Sequence, residues 1–128
     1  MEKEVFYISD LHFEHVQWRR ELLFWEDELK SFKNRLSELV VRWTDKNMLA
    51  QLEHFQNQFI VHEEVIDTLQ HDINIHETSI AKHSKKGEIV LDPILVKKHI
   101  EFRNRIETQR HLYSELKKEF FRYLSKYM

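Results

Sequence analysis

The chain has 128 residues with one glycine, one proline and no cysteine, and a third of its residues are charged. So few turn formers exclude a sheet-rich fold, which needs many tight turns, and leave an all-α domain with a modest core. The missing cysteines exclude disulfides, thiolate metal sites and cysteine nucleophiles. The formal net charge of −2 gives no overall pull towards nucleic acid.

The N-terminal "MEKEVFYISD" is acidic and does not lead into an apolar stretch. No apolar run approaches the ~18 residues of a membrane-spanning helix. Neither a secretory signal nor a membrane span is expected, and the default compartment is the cytoplasm.

The first predicted helix covers about 10–43. Its stripe is Leu11, His15, Trp18, Leu22, Trp25, Leu29, Phe32, Leu36, Leu39 and Trp43, spaced alternately by four and three. Such a repeat, sustained over several heptads, marks coiled-coil-like packing. Thr44 and Asp45 then supply turn and capping chemistry. The second helix, about 46–84, carries Met48, Leu52, Phe55, Phe59, His62, Ile66, Leu69, Ile73, His76, Ile80 and His83. It runs out in "KHSKKGEIVLDP", where lysines and then Gly87 suit a helix C-terminus. Asp92 followed by Pro93 starts a third helix, about 93–127. Its stripe is Leu95, His99, Phe102, Ile106, Gln109, Tyr113, Leu116, Phe120, Tyr123 and Tyr127.

Short connections predict an elongated antiparallel three-helix bundle running up, down, up. The stripes can then be laid level. Leu11 meets Ile80, Trp18 meets Ile73 and Phe102, Leu29 meets His62 and Tyr113, and Phe32 meets Phe59. Trp43, Met48 and Tyr127 close the turn end. Residues flanking the stripes give complementary charges at the same level: Glu14 with Arg103, Glu21 with Arg110, Glu28 with Lys117, Arg19 with Asp72, and Glu77 with Lys98.

The charge is unevenly spread. Residues 93–128 carry nine Lys/Arg against four Asp/Glu, and residues 1–92 carry eleven against eighteen. A basic third helix could present a nucleic-acid face, but the expected ion pairs consume much of that excess.

The same register puts His15, His76 and His99 in one layer. Three imidazoles from three helices form a ligand set suited to a transition-metal ion such as zinc, with water in a fourth position. Glu14, Glu77 and Asp72 are the nearby carboxylates that could hold the rings from behind. The plainer alternative is a polar layer that fixes register, with each ring bonded to a neighbour. His62 is expected to bond Tyr113 or Gln109. His54 and Gln58 share an exposed ridge, and His12, His71, His83 and His111 read as surface residues. No Glu-x-x-His pair, His-Glu-x-x-His motif, phosphate-binding glycine loop or nucleophile elbow is present.

Off the stripes lie Val16, Leu23, Phe24, Val41, Ile60, Val61, Ile75, Ile100 and Phe121. The adjacent pairs Leu23–Phe24 and Ile60–Val61 suggest a homodimer or protein-partner surface. The functional expectation is a non-catalytic structural or interaction bundle. Its alternatives are a three-histidine metal site and nucleic-acid binding through the third helix.

Overall fold

The computed structural model describes residues 7–85 and 92–127, and side chains over 7–82 and 92–127. It is a three-helix bundle of α1 (Ile8–Arg42), α2 (Lys46–Lys85) and α3 (Pro93–Tyr127). At 1.5 Å per residue each helix is about 50–60 Å long, so the bundle is a rod with two distinct ends. No helix among the described residues is long and apolar enough to cross a membrane.

The helix ends have local causes. Asp45 caps α2, its Oδ1 accepting the Met48 backbone N–H at 3.0 Å, which satisfies one of the donors a helix start leaves unpaired. Asp92 does the same for α3 by accepting from the Ile94 N–H at 2.8 Å, with Pro93 in the first-turn position that its fixed φ suits. Helix α1 closes with the extended Trp43, whose N–H reaches the Leu39 carbonyl at 3.1 Å. The α1–α2 corner therefore needs no glycine. Gly87 and the side chain of His83 lie outside the described residues.

The three stripes become the core. Eight of the ten predicted α1 positions are buried, and so are the α2 positions from Met48 to Ile80 and the α3 positions from His99 to Tyr123. Phe32 and Tyr127 pack against this core from its edge. Trp43 departs from expectation: it is 39% exposed and does not close the turn end. The extended backbone at the C-cap turns it off the stripe, and Met48 and Tyr123 fill the space, joined by a Tyr123 hydroxyl donating to the Met48 carbonyl at 3.1 Å.

The flanking charges fix α1 beside α3 as the register requires. Arg103 donates to Glu14, Arg110 to Glu21 and Lys117 to Glu28, each across 89 residues of sequence. Two other expected pairs do not form. Asp72 accepts from Arg105 of α3 at 3.0 Å and not from Arg19, and Glu77 engages His12 and His15. Long side chains can reach several partners from one level, so register sets the height of a residue without choosing its rotamer.

Candidate metal centre

Each helix gives up one apolar position of its stripe to histidine at the same level. His15 sits between Leu11 and Trp18, His76 between Ile73 and Ile80, and His99 between Leu95 and Phe102. All three rings are essentially inaccessible to solvent, at 0%, 1% and 0% exposure. Trp18 stacks on His99 with ring centroids 4.9 Å apart, and Phe102 lies 5.1 Å from His76. These contacts restrict ring rotation, because neither imidazole can turn without displacing a large aromatic neighbour.

The inward nitrogens converge. His15 Nε2 lies 3.3 Å from His99 Nδ1, and His76 Nε2 lies 3.4 Å from the same atom. One ligand nitrogen from each ring falls within 4.8 Å of the others. Two nitrogens bound tetrahedrally to zinc at about 2.0–2.1 Å stand roughly 3.3–3.4 Å apart. Two of the three spacings therefore match a bound ion, and the third lies within 4.8 Å.

The outward nitrogens are held unequally. His15 Nδ1 meets Glu77 Oε2, and the other oxygen of that carboxylate meets His12 Nδ1 at the surface. His99 Nε2 donates to Glu14 Oε1 at 2.9 Å, and Glu14 also accepts from Arg103 Nη2 and Nε at 2.6 and 3.1 Å. His76 Nδ1 is buried without a hydrogen-bond partner among the described residues.

Counting protons on these atoms is informative. A neutral imidazole carries one N–H and one lone pair. The carboxylates draw the N–H of His15 to Nδ1 and that of His99 to Nε2, so His15 Nε2 and His99 Nδ1 face each other as bare lone pairs. His76 Nδ1 has no partner among the described residues in either tautomer, so its single N–H can turn inward on Nε2 and is the one proton that can lie between them. Without a cation the three inward atoms have one proton for two acceptors. A metal ion would accept all three lone pairs at once.

Electrostatics favour the ligand form. Burial lowers the pKa of His15 and His99 despite the opposing pull of Glu77 and Glu14. His76, with no carboxylate bonded to it, falls to about 4, chiefly through burial and then through repulsion by its two neighbours. Burial raises the carboxyls of Glu14 and Glu77, but hydrogen bonds from Arg103 and His99, and from His15 and His12, outweigh it and hold both below the ordinary value. Neutral imidazoles backed by ionised carboxylates are the states that bind a borderline divalent ion.

Asp72, considered from sequence beside the two glutamates, is turned away towards Arg105. His12 lies at the surface, as its position off the stripe predicts, and also shares Glu77 with His15. Its position three residues before His15 on α1 placed it on the adjoining face and was the available signal. The second polar layer resolves as His62 Nδ1 bonded to the Gln109 side chain at 2.8 Å, a pair that leaves no converging ligand set. His54 is exposed and Gln58 half-buried, His54 lying edge-on to Phe55 at 5.5 Å.

The chain matches no protein-family model, no curated protein and no solved structure in the comparisons made.

Proposed function

We propose that this chain is a non-catalytic structural bundle that binds one borderline transition-metal ion, zinc foremost, through His15 Nε2, His76 Nε2 and His99 Nδ1. The observation that carries this reading is the convergence of three buried imidazole nitrogens, two pairs of them at the spacing of tetrahedral ligands. Carboxylates behind two of the rings support it, because orienting carboxylates commonly accompany metal-bound histidines. With one ligand on each helix, an ion here would tie α1, α2 and α3 together at the end remote from the α1–α2 corner. The test is elemental analysis of protein purified without an affinity tag, followed by calorimetric titration with zinc. One equivalent per chain is expected, falling to none in His99→Leu. No uptake by the unaltered chain would remove the reading.

A second reading, self-association as a homodimer, is supported by the exposed pairs Leu23–Phe24 and Ile60–Val61. An open groove of about 620 Å³ between α2 and α3, walled by Val61, Val65, Leu69 and Leu112, adds to that apolar surface. Light scattering at two protein concentrations tests it, and a strictly monomeric chain would count against it.

A further inference from the structure

The two carboxylates behind the histidine layer differ in what else they hold, and this bears on the charge of the ion. Glu14 divides its charge between His99 and the Arg103 guanidinium. Glu77 meets two imidazoles, His12 and His15, and no Arg or Lys ion pair to it is seen among the described residues. One full negative charge therefore sits directly behind a candidate ligand, at 20% side-chain exposure, where solvent screens it only in part. The layer itself is neutral when its imidazoles are neutral, so the field at its centre comes from the charges around it: Glu77 and Glu14 on one side of the balance, and Arg19 near His15, Lys98 near His76 and Arg103 near His99 on the other.

We infer that Glu77, seconded by Glu14, makes the layer selective for a doubly charged ion over a singly charged one such as copper(I). This rests on the metal-binding reading above and adds a specificity determinant to it. Three imidazoles alone accept zinc, copper, iron or nickel, so the choice among charges falls to the groups behind them. The interaction of a fixed charge with an ion is linear in the ion's charge. Removing the Glu77 charge should therefore cost a divalent ion twice as much, on a logarithmic scale, as it costs a monovalent one. Glu77 is a positioning residue: it fixes the N–H of His15 on Nδ1, turns the Nε2 lone pair inward and supplies a counter-charge without touching the ion.

The experiment is competition titration of the intact chain with Zn²⁺ and, anaerobically, with Cu⁺, for the unaltered protein, Glu77→Gln, Glu77→Asp and Glu14→Gln. Circular dichroism checks that each variant remains helical. Glu77→Gln should lose about 10- to 100-fold in zinc affinity, but only about 3- to 10-fold in copper(I) affinity. Glu77→Asp keeps the charge and should recover most of the preference. Glu14→Gln should show the same unequal loss, and it carries the test if Glu77→Gln does not fold. Equal losses for the two ions, or no loss for zinc, would overturn the inference while leaving metal binding intact. Failure of the unaltered chain to bind either ion would overturn both.

Discussion

The two ends of the rod are built on opposite plans. Near the α1–α2 corner, Phe32, Phe55, Phe59, Phe120 and Tyr123 interlock, with Phe120 at 5.0 Å from Phe32 and Phe59 and 5.3 Å from Phe55. That end is aromatic, and apolar burial is the chief source of its cohesion. At the other end the histidine layer interrupts the apolar core. The buried apolar residues on the corner side of that layer, from Trp18, Ile73 and Phe102 to Leu39, Met48 and Tyr123, belong to one large cluster, whereas Leu11 and Ile80 form a separate small one with Ile8, Leu95 and Val96 around it. One fold thus packs interlocked aromatic rings at one end and buries three imidazoles among apolar neighbours at the other.

The largest way to break this contrast is at the aromatic end. Phe59→Ala, at a fully buried position, should cost about 3–5 kcal/mol in denaturant unfolding, with zinc uptake still one equivalent under conditions where the variant is folded. A loss below about 1 kcal/mol would show that the end is less tightly packed than its ring contacts imply.

Acid should act on the opposite end. The folded-state pKa of His76 is about 4, below its ordinary 6.5. Between those values the unfolded chain holds the extra proton and the folded one does not, so stability rises with pH through this window and falls as pH drops from 6.5 towards 4. The full swing for this residue is about 3 kcal/mol. Urea titrations of the metal-free chain from pH 7.5 to 4.5 measure it, and a His76→Leu variant should flatten the curve.

Zinc should sharpen the contrast by strengthening the weaker end. At a hundred times its dissociation constant a ligand specific for the folded state adds ~2.7 kcal/mol, visible as a higher melting temperature that His76→Leu does not show. In the metal-free chain His76→Leu should itself stabilise by about 1–3 kcal/mol, because it removes a buried nitrogen without a partner. A destabilised variant would mean that the imidazole has a stabilising role of its own. The smallest effect belongs to the ladder: Arg110→Gln, at a pair that is largely solvated, should change stability by ~0–1 kcal/mol and less at high salt.

Much of this was legible in the sequence, for reasons that individual residues show. The level of His15, His76 and His99 follows from stripe spacing and a short corner, and so do the three α1–α3 ion pairs, because both are properties of backbone height. What escaped is of two kinds. Arg105 took Asp72 and Glu77 turned to His12 and His15, each a rotameric choice among partners at one level, whereas Trp43 left the stripe because the backbone turns extended at the α1 C-cap. The unequal backing of the three imidazoles was therefore invisible until side chains were placed, and the inference about ion charge depends on it.

The α1–α3 ladder has a further consequence, which concerns translational symmetry. Its rungs Glu14–Arg103, Glu21–Arg110 and Glu28–Lys117 recur every seven residues on both helices. Sliding α3 by one heptad would still pair Glu14 with Arg110 and Glu21 with Lys117, and the apolar stripes would still face inward. The slide costs one rung of three, since Glu28 would meet Leu124, and the packing of the overhanging ends, so charge and hydrophobicity separate the native alignment from its neighbours only weakly. The histidine layer does so by chemistry, because only the native alignment sets His99 against His15 and His76, whereas a slid α3 would put Ile106 against that pair and carry His99 out of the layer. The polar interruption that weakens one end of the core is also the mark from which the other two hydrophobic rulers are read.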